Sequence, residues 1–269
     1  MKLALLLAAL SLPLSATITA VNIAVGENST GSSVASIATA ATSHTAGNAL
    51  VACVRLGVNP GDATFTLANT AGDTWHLLTH QLDTAIDVTQ CGWTVTAGNA
   101  SDVVTATFST SQPFSSIFVR QYHSTVGFTG ASIDADVGQS NGNATTPVTA
   151  TFSTVASPEA LIGFFTVNAT GETFSVNSTN GVCSVYTCTV VASDASTDPA
   201  CGACSGAGGM AALYEAIPTA TISSSFMRLT ISPSGLTGTV VVSLKEVAGA
   251  TSGSFIAGAS FWGGGAFAQ

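Results

Sequence analysis

The chain has 269 residues, of which 46% are hydrophobic and only 7% charged, and its net charge is −9. Disorder requires the opposite balance, low hydrophobicity with high charge, so this sequence specifies a packed core. Only five basic residues are present (Lys2, Arg55, Arg120, Arg228 and Lys245), too few and too scattered for the basic stripe that neutralises phosphates, which excludes nucleic acid as a partner. Soluble domains usually carry about 25% charged residues; here Ser, Thr, Asn and Gly supply the polar surface instead, a composition typical of exported β-proteins.

Lys2 followed by LALLLAALSLPLSA has the layout of a secretory signal: a basic start, a short apolar run and small residues at its end. It predicts a signal peptide over 1–16, with cleavage after Ala20 as the alternative, and a secreted or cell-surface protein. No later run approaches the ~20 apolar residues a membrane helix needs, so an integral helical membrane protein is not expected. TITAVNIAVGENSTGSS follows, and its Ile18, Val21, Ile23 and Val25 predict a first strand. A terminal strand of this kind either pairs in its own sheet or enters a neighbour's.

From Asn48 to His123 the chain runs through ALVACVRLG, ATFTLAN, TWHLLTHQL, CGWTVTAGNASD and VTATFSTSQPFSSIFVRQYH, with NPGD and the letters Asn69 to Asp73 between them. Short segments rich in Val, Thr, Phe and Trp, punctuated by Gly, Asn, Asp and Pro, are the grammar of antiparallel sheet. VTATFST occurs at Val104 to Thr110 and again at Val148 to Thr154, each copy followed by a break and an apolar strand, SSIFVRQY or EALIGFFTV. Two copies are too few for a solenoid, and the repeat reads as pseudo-symmetry within one sandwich. GASIDADVGQSNGNATT, between the copies, reads as a long polar loop. MAALYEA has helical potential cut short at Ile217–Pro218 and is equally a strand. GTVVVSLKEV is the strongest strand and the expected last one of the core. The expected fold is all-β: a single antiparallel β-sandwich of jelly-roll or immunoglobulin-like type over 17–247, with extended N- and C-terminal strands.

Residues 248–269 form an aromatic, Gly-rich tail without charge, in which Phe255, Phe261, Trp262 and Phe267 stand among small residues. Exposed apolar patches usually mark interaction surfaces, so this tail or the first strand is expected to dock on another copy of the chain. Six cysteines in an exported chain read as disulfides, whose pairing sequence alone leaves open. The expectation is a Cys53–Cys91 bridge between early strands and two bridges within Cys183, Cys188, Cys201 and Cys204. Cys201-Gly-Ala-Cys204 also has the short spacing of zinc ribbons, but the unequal spacings and an oxidising compartment favour disulfides.

No reaction is legible. His76 and His80 are four apart, a metal-ligand spacing only on a helix, and they lie in a strand-like segment. Asp134 and Asp136 resemble a fragment of a calcium loop without its further carboxylates and closing Glu, and read as a turn. Ser205 lacks the first Gly of a nucleophile elbow, and Glu159, Glu172 and Glu215 cannot be paired by sequence. No cofactor, metal or catalytic residue is assigned, and a non-enzymatic role is expected. Trp75, Trp93 and Trp262 raise carbohydrate binding; the first two sit in core-like strands and only Trp262 reads as free. Asn28, Asn99, Asn143, Asn168 and Asn177 begin glycosylation sequons.

The succession GNALVACV, NTAGDTWHLL, GWTVTAG, VTATFS, a strand ending in RQYHS, EALIGFF and VVVSLKEV resembles a broad group of exported bacterial β-sandwich proteins of unassigned function. The resemblance runs from about Ala46 to Val247 and lies in core and turn motifs, so it implies a fold and carries over no functional residue. The cysteine cluster and the aromatic tail depart from it. In style the chain is also similar to extracellular filament subunits that donate a terminal strand to the next subunit. The expected function is therefore a secreted structural subunit whose partner is another copy of itself. The alternative is a carbohydrate-binding or adhesive module, with glycans as partners.

Overall fold

The computed structural model describes residues 17–28, 32–57, 63–83, 87–130, 132–156, 158–168, 173–193 and 210–247. Among them the regular elements are strands, apart from one 3-10 turn at Val182–Ser184. The first half holds β1 (Ile18–Asn28), β2 (Val34–Ala38), β3 (Thr42–His44), β4 (Ala49–Gly57), β5 (Phe65–Asn69), β6 (His76–Asp83), β7 (Asp87–Val95), β8 (Asn99–Asp102), β9 (Val104–Gln112) and β10 (Ser115–Ser124). The second holds β11 (Ile133–Ala144), β12 (Glu159–Asn168), β13 (Thr173–Val176), β14 (Cys188–Ser193), β15 (Met210–Ala216), β16 (Leu229–Ser232) and β17 (Gly235–Lys245).

The expected all-β, antiparallel class is present, distributed over five sheets. Two are five-stranded, in the orders β1-β10-β4-β7-β6 and β11-β17-β12-β15-β14; the others are β2-β9-β5, β3-β8 and β13-β16. The two large sheets follow one plan. β1, β10, β4, β7 and β6 occupy the places of β11, β17, β12, β15 and β14 in turn.

The correspondence extends to register. Cys53 pairs with Phe118 and Cys91 just as Phe164 pairs with Val240 and Leu213. Both edge strands slip at the matching point, between Leu77 and His80 in β6 and between Val190 and Ala192 in β14. A reciprocal threonine clamp also recurs. Thr39 N donates to Val104 O (2.9 Å) while Val104 N donates to Thr39 Oγ1 (3.2 Å). Thr149 N donates to Met227 O (3.0 Å) while Met227 N donates to Thr149 Oγ1 (3.0 Å). Residues 17–124 and 133–247 are thus two copies of one topology. The repeated VTATFST does not mark this symmetry. Its first copy is β9, whose counterpart is the stretch Met227–Ser232, whereas its second copy contains Thr149, the counterpart of Thr39.

The large sheets pack face to face, Phe118, Trp93 and Tyr122 of one against Ile162, Phe164, Leu213 and Val242 of the other; the Phe118 and Phe164 rings lie 5.4 Å apart. The outer face of the first sheet (Leu50, Val54, Ile117) is covered by Ile37, Phe65 and Ala106 of the three-stranded sheet. That of the second (Leu161, Phe165, Val241) is covered by Phe152, Val182, Met227 and Ile231. All nine residues of β4 are buried. Strands covered on both faces read as continuous apolar runs without alternation, which is why ALVACVRLG and TVVVSL look as they do.

The expected polar loop GASIDADVGQSNGNATT is instead mostly β11. As an edge strand with half-buried side chains it needs only backbone bonds to β17, which polar residues supply as well as apolar ones. MAALYEA is β15, a strand between β12 and β14. Both ends of the folded region emerge at one pole: Thr125 N donates to Thr17 O (3.3 Å) and Val247 N to Gly127 O (3.1 Å).

Gly26 lets β1 pass beneath β2, since a Cβ there would lie 2.0 Å from the Ala38 carbonyl oxygen. That oxygen belongs to backbone and cannot swing away. Gly26→Ala is therefore expected to cost about 1–3 kcal/mol, read as a lower urea midpoint at constant slope; an unchanged midpoint would contradict this packing.

Candidate functional site

Three polar clusters stand out against this apolar interior. The first joins the two halves. Alternation on β10 turns Arg120 and Tyr122 toward the second large sheet, where Glu215 of β15 receives them. Arg120 donates from Nε to Oε2 (2.8 Å) and from Nη2 to Oε1 (3.1 Å), and Tyr122 donates to Oε2 (2.7 Å). Burial, reinforced by the Glu215 charge, holds the Tyr122 hydroxyl well above its ordinary pKa. Burial would lower the Arg120 guanidinium, but Glu215 outweighs it and the group is raised. Glu215 also borders an open groove lined by Val185, Tyr186, Thr187, Thr189, Ala216 and Ile217. With its carboxylate already occupied by Arg120 and Tyr122, the residue is a clamp between sheets and offers no free base.

The second cluster explains the NTAGDTW motif. Asp102 is fully buried; its Oδ1 accepts from Thr70 Oγ1 (2.7 Å) and Ala71 N (3.1 Å), and its Oδ2 from Asn69 Nδ2 (2.7 Å), with His44 Nδ1 at 2.9 Å. Asp73 Oδ1 accepts from Ala97 N (2.8 Å), tying the same turn to the end of β7. Burial raises the Asp102 carboxyl, yet His44 and the turn donors more than compensate and hold it below its ordinary value. An Asp–His pair suggests catalysis only with a nucleophile beside the other ring nitrogen. His44 Nε2 is buried without a partner among the described residues. The cluster anchors a turn.

The third gathers Asp134, Glu159, Ser243 and Lys245 at the end of the second large sheet. Lys245 Nζ donates to Asp134 Oδ1 (2.9 Å), and Ser243 bonds to Glu159. Among the described residues no group of His, Cys, Asp and Glu is arranged to hold a metal ion.

The structure joins Cys53 to Cys91 and Cys183 to Cys188; Cys201 and Cys204 lie outside the described residues. In β1, Ile18 is buried, Ile23 and Val25 pack against the inner core, and Val21 is 49% exposed. Phe255, Phe261, Trp262 and Phe267 lie outside the described residues. Trp93 is in the inner core with His76 against its ring at 5.6 Å, and Trp75 packs on the outer core. Asp134 and Asp136 are on a strand, not in a turn; Asp136 accepts from Thr79 N and so joins β11 to β6. Among the sequons, Asn143 is exposed, whereas Asn99 and Asn177 bond to Thr70 and Thr230 and Asn28 to the Ser32 carbonyl; the Asn168 side chain lies outside the described residues. The Arg120 and Asp102 clusters escape sequence reading because their members lie up to 95 residues apart. The one available signal was the presence of Arg and Tyr two apart in a strand, where alternation places both on one face. No protein-family model, curated protein or solved structure matches the chain.

Glu215→Ala leaves the Arg120 guanidinium half-buried and unpaired, with an expected loss of about 3 kcal/mol, whereas the double change Arg120→Leu, Glu215→Leu restores most of it; urea titrations of both variants check this. Asp102 has a folded pKa below its unfolded value of 3.8. Its contribution is present above that pH and is lost as pH falls through the folded value. Asp102→Asn should therefore lower stability at neutral pH and flatten its dependence below about pH 4, measured as unfolding midpoints against pH.

Proposed function

We propose that the chain is a secreted structural protein, a subunit of an extracellular filament or surface assembly in which a terminal strand passes from one copy to the next. The observation that carries the reading is the place of β1. It is an edge strand bonded to β10 alone within its sheet, and in this reading removal of the leader over 1–16 leaves it joined to the rest of the chain only from Asn28 toward β2. A strand tethered at one end can leave its sheet and enter a neighbour's without unthreading. The exposure of Val21, the low charge and the two disulfides, one within the first large sheet and one at the edge of the second, are compatible with this role outside the cell. Among the described residues no helix is long and apolar enough to cross a membrane. At the finer level, the described strands are read as a single antiparallel β-sandwich of jelly-roll or immunoglobulin-like type, a reading supported by the face-to-face packing of the two large sheets. The groove beside Tyr186, Thr187 and Thr189 favours a second reading, a glycan-binding module, since it presents a ring and hydroxyls together.

Negative-stain microscopy of native protein is expected to show regular filaments, and excess synthetic peptide of residues 17–28 is expected to cap them into short oligomers. Monomers that persist at high concentration with both termini intact would sink the proposal. In the same experiment, deletion of 252–269 separates a contribution of the tail from that of β1.

A further inference from the structure

We propose that Lys245 and Asp134 are joined covalently, by an amide bond between Nζ and Cγ that the folded protein forms by itself with Glu159 as the proton-transferring catalytic residue. The inference is independent of any assembly.

The three residues stand on three adjacent strands, β11, β17 and β12. Lys245 lies directly opposite Glu159 in the ladder, and Asp134 is the extra residue at the register break between Ile133 and Ala135, which releases its side chain toward β17. Lys245 Nζ is 2.9 Å from Asp134 Oδ1, and the Asp134 and Glu159 carboxyl groups are close enough to raise the Glu159 carboxyl. The site is largely shielded: Glu159 is 1% exposed, and the side chains of Asp134 and Lys245 are 6% and 26% exposed. A loop closes over it, with Val155 N donating to Asp134 Oδ2 (2.5 Å) and Ala156 N to Glu159 Oε1 (3.1 Å).

Burial raises the Asp134 carboxyl, but the Val155 N–H and Lys245 outweigh it and hold the group below its ordinary value, so the reaction starts from the ion pair. A proton passes from the Lys245 ammonium to the Asp134 carboxylate, and the nitrogen lone pair attacks Cγ. Val155 N–H stabilises the oxygen on which charge develops. Glu159 takes a proton from the nitrogen and delivers one to the departing oxygen, the C–O bond breaks, and water leaves. An ammonium and a carboxylate become an amide and one water, with no oxidant or outside reactant. Burial pushes the Glu159 carboxyl up to about 7, against the pull of Ser243, so near neutral pH it can both give and accept a proton. The first half serves as an internal comparison: the places of Glu159 and Lys245 are taken there by Asn48 and His123, with His123 Nδ1 3.0 Å from Asn48 Oδ1. That pair has no amine and cannot form the bond.

The test is mass spectrometry of the reduced, denatured wild-type chain after trypsin, which needs no variant to fold. A bonded Lys245 is not cut, so the peptide beginning at Leu229 stays attached to the one ending at Arg228, the pair being lighter by one water. Glu159→Gln is expected to abolish this and restore cleavage after Lys245. A wild-type chain of full mass, cut at Lys245, overturns the proposal; an unimpaired bond in Glu159→Gln overturns the role of Glu159.

Discussion

Burial of both faces of both large sheets is the constraint from which the rest of this structure follows. A strand with one wet face needs a polar residue at every second position; β4, between layers, has Arg55 alone, and β17 has the small Thr237, Thr239 and Ser243 before Lys245 at its end. Some of the polar side chains that do occur in the large sheets are satisfied across the interface. Thr89 and Thr166 share a hydrogen bond across the inner interface (2.8 Å), and Thr166 also donates to the Gly238 carbonyl (3.2 Å). Threonine suits this position because it brings strand propensity and a single small polar group. The low charge of the chain follows from the same cause, since an unpaired charge between layers would cost more than a fold can absorb.

The second determinant is repetition with local exceptions. Two copies of one topology, packed through their large sheets, present equivalent positions that sequence has filled differently. Cys53 and Cys91 stand where the second half has Phe164 and Leu213, so the first half has a covalent bond where the second has packed side chains. In the chain-entropy model such a loop of 38 residues is worth roughly 3–4 kcal/mol. Trp93 stands where the second half has Glu215, and Val242 where the first has Arg120, so the ion pair between Arg120 and Glu215 has an apolar counterpart across the pseudo-symmetric interface. The disulfide and the ion pair of the inner interface both lie at places where the two halves disagree.

Much of this was legible in the sequence. Strand grammar gave the class, the Cys53–Cys91 bridge and the core place of Trp93, because each depends on local pattern or on one pairing. β11 was not legible, since an edge strand held by backbone bonds leaves no apolar signature. The true repeat was missed for a different reason. NALVACVRL and EALIGFFTV share apolar type but few identities, while the identical VTATFST segments fall on places that do not correspond. Identity over seven residues of a Thr-rich alphabet carries less information than register does. The grouping of Asp134, Glu159 and Lys245 depends on three strands meeting and on a single extra residue in β11, and no spacing in sequence encodes either.

The geometry of the ends bears on how copies would associate. β1 enters at the pole where Thr17, Gly127 and Val247 meet, and runs antiparallel to β10 until Asn28 lies beside Ser115 at the other pole. Its covalent tether to β2 is therefore at the far pole, and a departing β1 would pivot there. Both described ends, Thr17 and Val247, stay at the near pole. In the proposed assembly, β1 of one copy fills the β10 edge of the next, so the donated strand and the edge that receives it are different surfaces. Contacts between unlike surfaces give head-to-tail association, which stays open unless a rotation happens to close it.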